Sequence, residues 1–377
     1  MRINIGGDFC ITSQYLSKQL ISKSVKALFD DSDLNILNLE CPIVNKNNHY
    51  KIIKTGPHLK TDERILNYLK QLNTNVVTLA NNHILDYGLN GLKTTLEHCN
   101  KNNIQYVGAE MSVKQAAQPL IIEKGGLKIA FVNFCENEWS VANSQRGGAN
   151  PMDIIDNYKQ IKNAKQKVDF VIVIVHGGHE YYSLPSPRMV KQYRFYAENG
   201  ADAVIGHHTH SISGYEIYNK VPIVYSLGNF LFTIPNKNKK WYNGLVAQLT
   251  LQKGEPIDLQ LIPIQQNEED FELTIIDDAN KKLVLKYVNE LNVTIQDNNE
   301  LHQEWRNYLL KQSKLINTLS PINYIPNKYI AASLKRIGIN KLLINNKYLK
   351  SLANRIRCEA HRDLIIDTLL NRVNKNK

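Results

Sequence analysis

The chain has 377 residues, 43% hydrophobic and 21% charged, a balance that excludes the disordered and fibrous classes and gives room for one large domain with an appendage or for two ordinary domains. Its formal charge of +11 is unevenly placed: residues 301–377 carry 15 Lys or Arg against 4 Asp or Glu, while residues 1–300 balance at 31 against 31. A neutral body with a basic tail argues against a nucleic-acid-binding body, and it points either to an anionic surface or polymer near the tail or to a solvated basic face with no partner.

The opening MRINIGGDFC reads as a strand rather than a signal peptide, and no window holds about 18 uninterrupted apolar residues. The expectation is a cytoplasmic protein, at most peripheral to a membrane. Cys10, Cys41, Cys99, Cys135 and Cys358 lack metal-ribbon or disulfide-framework spacing, which fits a reducing compartment. In chain order, apolar β-rich runs at 3–5, 34–39, 76–79, 128–134, 170–175 and 203–205 alternate with helical patterns at 62–72, 92–99, 158–164 and 188–199. Such alternation predicts an α/β layered domain. Consecutive strands then follow at 215–218, 223–226, 245–251 and 258–264 and suggest a second, antiparallel sheet. From about 267 the strand signal fades and helical periodicity takes over from Ala279, with a break at SPINYIPNK. A boundary is expected near 268 to 280, with residues 1–268 as the α/β domain and 269–377 as a basic helical module whose core is drawn from Leu309, Leu315, Leu342, Leu349, Leu352, Ile356, Leu364 and Leu369.

The polar residues that carry chemistry sit just past the carboxyl ends of predicted strands, where α/β sheets collect ligand groups. They are Asp8, Glu40, Asn81-Asn82-His83, His176, and His208 with His210. Each has a bland alternative: a helix cap for the Asp, a turn for the Asn-His, a backbone-bonded imidazole for a buried His. Together they make a mixed nitrogen and oxygen ligand set suited to zinc, manganese or iron and too nitrogen-rich for calcium or magnesium. Six such side chains exceed the needs of one tetrahedral ion. Two divalent transition-metal ions, about 3.5 to 4 Å apart and sharing a carboxylate, would use them and would generate a hydroxide for attack on phosphorus or carbonyl carbon.

The succession GD, NLE, ANNHILDYG, HGGHEY, GADAVIGHHTH and YSLGNFLF resembles the poly-γ-glutamate capsule synthesis (CapA) family, whose fold is similar to that of the calcineurin-like metallophosphoesterases. The resemblance covers roughly residues 1–265 and implies a four-layer α/β/β/α sandwich there, which the C-terminal helical module read from periodicity would follow. It implies Asp8 and His210 as ligands of one metal, Asn82, His176 and His208 as ligands of a second, and Glu40 as the bridge. His83 becomes the acid or electrophile, with Asp86 as the group that orients it. The phosphoesterases commonly place an acidic residue directly after the corresponding His, where this chain has Ile84, so the partnership with Asp86 departs from the pattern. They also open Asp-x-His where this chain has Asp8-Phe9-Cys10. Cys10 is therefore either a thiolate ligand favouring zinc or a packed thiol. His207, Glu180 and Asn229 are read as neighbours of the ligands or substrate contacts, with packing and capping as their alternatives.

The reaction implied is metal-dependent hydrolysis of a phosphoester or amide in capsule or envelope anionic-polymer biosynthesis. No GxSxG, GxxxxGK[ST] or GxGxxG pattern occurs, which argues against a serine hydrolase and against ATP-driven ligation by this chain alone. It would trim, transfer or release polymer, or assist a separate ligase. A non-catalytic metal-bearing scaffold of a polymer synthesis or export complex is the alternative. The expected partners are an anionic polymer or phosphoester, capsule-synthesis ligase or export subunits, and an anionic membrane surface met by the basic tail; nucleic acid is not expected.

Overall fold

The structure is a computed structural model describing residues 1–375 except Lys46, 313–315 and 317–318; for Asn340, Lys341 and residues 370–375 it describes backbone alone. The chain divides into two compact units, Met1–His302 and Gln303–Lys377.

In the first unit two mixed sheets face one another. One runs in the order Leu273–Ile275, Asp258–Gln266, Asn243–Thr250, Arg2–Cys10, Leu34–Leu39, Val76–Thr78, Gln105–Val107, with Asn229–Phe232 paired to the end of Arg2–Cys10. The other runs Tyr215–Tyr218, Val221–Val224, Ala203–His207, Phe170–His176, Leu127–Cys135, Leu120–Lys124. The central strands of each are parallel. Parallel strands covered on both faces read as continuous apolar runs, which is why VIVIV and VVT are strands without alternation.

Three apolar clusters define four layers. Ile3, Ile5, Ile36 and Val76 from the first sheet meet Ile129, Phe131, Ile172 and Ile205 from the second. Leu37, Val77 and Leu79, on the far face of the first sheet, pack with Val25, Phe29, Leu69 and Leu92 of its helices. Val132, Val173 and Val204, on the far face of the second, pack with Ile161, Met189 and Tyr193. This is the expected α/β/β/α sandwich. Its helices start where the sequence supplies caps: Ser22 accepts from Val25 N–H before Lys23–Asp30, Asp153 from Ile155 and Asp156 before Ile154–Lys165, and Ser186 from Met189 with Pro187 at the first position.

Three expectations change. The strands after 211 form no separate antiparallel sheet: Ile223 and Val224 pair parallel to Val204 and Ile205, whereas Asn243–Thr250 pairs antiparallel to Arg2–Ile5. The helix expected at 62–72 is Ile65–Gln71, because Asp62 holds Arg64 in a turn through its side chain and does not cap a helix. The first unit also runs past 268, because Leu273–Ile275 adds a strand and helix Asp278–Gln296 buries Val288, Leu291 and Ile295.

The second unit is helical, with Lys328–Arg336, Ile339–Leu343, Asn346–Arg357 and Glu359–Lys375 following a short 3-10 turn at Pro321–Tyr324. Its expected core does not form: Leu309, Leu342, Ile356, Leu364 and Leu369 are exposed, and Leu349 and Leu352 are half-buried. Leu315 lies outside the described residues. A helical stripe sets which side chains share a face, not what covers it.

Candidate metal centre

Carboxyl ends of parallel strands from both sheets converge on one buried site. Asp8 lies near the end of Arg2–Cys10, in register with Asn38 on one side and Asn229 on the other. Glu40 follows Leu34–Leu39, Asn81 to His83 follow Val76–Thr78, His176 ends Phe170–His176, and His208 and His210 follow Ala203–His207. Gly7 permits the approach, since a Cβ there would lie 1.9 Å from the carbonyl oxygen of Gly228, which accepts from Asp8 N–H at 3.1 Å.

Two groups of ligand atoms form, Glu40 with His176 and His208, and Asp8 with Glu40 and His210, the atoms of each lying within 4.8 Å of one another. Glu40 belongs to both. In the first group His208 Nδ1 is 3.1 Å from His176 Nε2, which is 3.1 Å from Asn82 Oδ1 and 3.7 Å from Glu40 Oε1. In the second, His210 Nδ1 is 3.4 Å from Asp8 Oδ2 and its Nε2 is 3.7 Å from Glu40 Oε1.

The chemistry of these residues fits divalent cations. Both carboxylate oxygens of Glu40 are buried without a hydrogen-bond partner, and an unsatisfied buried carboxylate is costly unless a cation reaches it. Burial, and then the charge on Asp8, push the Glu40 carboxyl well above its usual range. Burial opposes charge on Asp8 too, but the His210 hydrogen bond and neighbouring imidazoles outweigh it and hold that carboxyl below its usual range. Burial and the adjacent His208 push the His176 imidazole well down, toward the neutral form that ligates metal.

Neighbouring groups orient these side chains. Asn229 donates through Nδ2 to Trp241 O at 2.9 Å, so its Oδ1, 2.8 Å from His210 Nδ1, accepts from that nitrogen and leaves Nε2 toward Glu40. Asn38 Nδ2 donates to Asp8 Oδ1 at 2.7 Å and lies 3.1 Å from His176 Nδ1. His208 and His210 adopt φ of 89° and 52°, a left-handed conformation that costs about 1–3 kcal/mol for a non-glycine residue and clusters at functional sites. His208 N–H donates to Asp8 Oδ2 at 3.1 Å, which helps hold that loop.

His83 Nδ1 lies 2.7 Å from Asp86 Oδ2, and its Nε2 lies 4.0 Å from Glu40 Oε1. Asp86 also accepts from Leu59 N–H at 2.7 Å and forms an ion pair with Lys54, whose Nζ is 3.1 Å from His83 Nδ1. Burial lowers the His83 pKa against the pull of Asp86, and Lys54 lowers it further.

The remaining candidates separate. His207 lies 3.2 Å from the Gly6 carbonyl through Nε2 and joins neither ligand group. Cys10 joins neither: it lies with Cys41 in the helix-side core, and the neighbouring thiol and burial push its pKa up. Glu180 is exposed, though its charge is felt by Glu40 and His210. Sequence reasoning missed Lys54, Asn38 and Glu138, whose Oε1 is 3.9 Å from His208 Nε2. Asn38 left a trace as a polar residue two before Glu40 in LNILNL. Lys54 and Glu138 left none, lying in segments without periodicity.

The fold is thus a four-layer α/β/β/α sandwich that gathers these carboxylate, carboxamide and imidazole side chains at its strand ends. Residues 5–234 match the family described as bacterial capsule synthesis protein PGA_cap, and the chain belongs to it. It is similar to the PGA biosynthesis protein CapA of Bacillus subtilis (strain 168), with 35% identity over 254 residues covering 66% of this chain and 65% of that protein. It is also similar to the capsule biosynthesis protein CapA of Bacillus anthracis, with 31% identity covering 66% of this chain and 62% of the other. The chain thus spans less than two thirds of the length of either relative. A looser likeness, with a TM-score of 0.44 at 14% identity over 71% of this chain and 95% of the other, is to a phosphatase from Mycoplasma pneumoniae.

Proposed function

We propose that residues 1–302 form a two-cation hydrolase acting in the biosynthesis of a capsule or envelope polymer of poly-γ-glutamate type, cleaving a phosphoester or amide of an anionic substrate. The polymer class comes from the family and from the names of the two Bacillus relatives. The observation that carries the chemistry is Glu40, buried, unpartnered and common to both ligand groups.

Asp8, Glu40 and His210 would hold one cation, and Glu40, Asn82, His176 and His208 the other. The mixed nitrogen and oxygen set suits manganese, zinc or iron. Such a pair supplies Lewis acidity and a lowered pKa for bound water. The chain's own contribution is placement of a proton. Asp86 fixes His83 through Nδ1 and leaves Nε2 facing the Glu40 side, where, when protonated, it delivers a proton to the leaving oxygen or nitrogen. Lys54 balances the Asp86 charge and, with Ile52 and Leu59 N–H, ties segment 52–59 to it, while Trp241 and Phe232 pack against His210 and shield it from water.

One observation favours the scaffold reading: with Cys10 turned to Cys41, the Asp8 group has three carboxylate or imidazole ligands, a set that can serve structure without turnover. Purified protein assayed with phosphomonoesters, phosphodiesters and γ-glutamyl amides, with added manganese or zinc, separates the two readings. The hydrolase reading predicts metal-dependent turnover of at least one class, lost in Glu40→Ala. Retained metal without turnover of any class would establish the scaffold instead. Ligase or export subunits of the same polymer pathway are the proposed protein partners.

A further inference from the structure

Residues 303–377 break the ordinary pattern of a small helical unit. No residue of Lys328–Arg336 or Asn346–Arg357 is buried. Ile330, Leu334 and Ile337 follow one another at spacings of four and three, so they line one side, with Lys328, Lys335 and Arg336 away from it. Leu349, Leu352 and Ile356 repeat the arrangement, with Lys347, Lys350 and Arg357 turned away. Ile337 is 70% exposed, Leu342 73%, Ile356 58% and Leu364 68%. Scattered surface apolar residues need no explanation, but aligned ones on successive helices do. The same residues fall within the stretch that carries all the excess positive charge of the chain.

What covers these faces follows from charge. A polyanion in solution would pair with the Lys and Arg but leave the apolar side chains in water. A second copy would bring a like positive surplus against this one. An anionic bilayer offers phosphates for the cations and an acyl boundary for the apolar stripe at the same depth. No described helix is long and apolar enough to cross a membrane, so contact is with the surface.

We infer that residues 303–377 are a membrane-surface module whose amphipathic helices lie in the headgroup layer of an anionic bilayer, with Ile330, Ile337, Leu342 and Ile356 toward the acyl chains and the Lys and Arg on lipid phosphates. The module and the metal centre stand or fall separately, since metal content reports on one and lipid binding on the other.

The test is vesicle flotation of the full chain with phosphatidylcholine alone and with phosphatidylcholine mixed with phosphatidylglycerol. Binding is expected to be about tenfold or more stronger with the anionic lipid. It should weaken without vanishing as salt rises from about 0.1 to about 1 M, because screening removes the charge contribution and not the apolar one. A triple variant Ile330→Ser, Ile337→Ser, Leu342→Ser and a second triple variant Lys335→Gln, Arg336→Gln, Arg357→Gln should each lose about tenfold or more, with helicity and metal content unchanged. Absence of flotation with anionic vesicles would overturn the inference. So would loss in the charge variant alone, which marks a polyanion, or a full chain that dimerises through this face and never floats.

Discussion

Residues 1–302 gather buried carboxylates and imidazoles around one place, whereas the described residues of 303–377 leave large apolar side chains exposed on successive helices. Asp8 and Glu40 at strand ends and Asp86 in the turns after one are fully buried, together with four imidazoles of the 207–210 and 176 positions and His83 close by. Leaving a buried polar group unsatisfied costs about 1–3 kcal/mol, and leaving a large apolar side chain in water forgoes about 1.5–3 kcal/mol. The completion proposed for each differs accordingly, cations for one and an amphipathic surface for the other.

The largest expected effect comes from removing the group on which the first region depends. Glu40→Ala takes one ligand from each cation and should strip both metals on gel filtration, with turnover at background; retained metal would show that Glu40 is not shared. His83→Ala should keep its metals and lose about 10²- to 10⁴-fold in kcat, measured on whichever substrate class is turned over. Lys54→Met leaves Asp86 buried with its ion-pair partner gone. Urea denaturation should show a loss of about 3 kcal/mol, partly restored by Lys54→Arg. Asn229→Ala frees the His210 ring and should weaken cation binding about 10- to 100-fold, read by metal titration. The smallest effect sharpens the contrast: ending the chain at His302 should leave metal content unchanged, because none of the proposed ligands lies beyond His210.

Much of the candidate site was legible because parallel strands announce themselves as continuous apolar runs, and the polar residue that ends such a run is placed by the sheet. Asp8, Glu40, His176, His208 and His210 all follow that rule, and the structure brings them together. Asp86, displaced from the usual position by Ile84 and Leu85, still reaches His83 because residues 82–87 form tight turns rather than a strand or helix. Lys54 was invisible because it belongs to a segment whose course is set by tertiary bonds, such as Ile52 N–H to Asp86 O. The strands at 215–224 and 243–266 were recognisable as strands, but a period of two does not say which sheet a strand joins. Helix Asp278–Gln296 looked like part of the tail for the same reason: its Val288 and Ile295 pattern predicts burial, not the partner.

Metal analysis of the gently purified full chain tests the central claim most directly. Elemental analysis should find two divalent transition-metal ions per chain, both lost when Glu40 is replaced by alanine. Fewer than one ion per chain, or a content indifferent to Glu40, would contradict it.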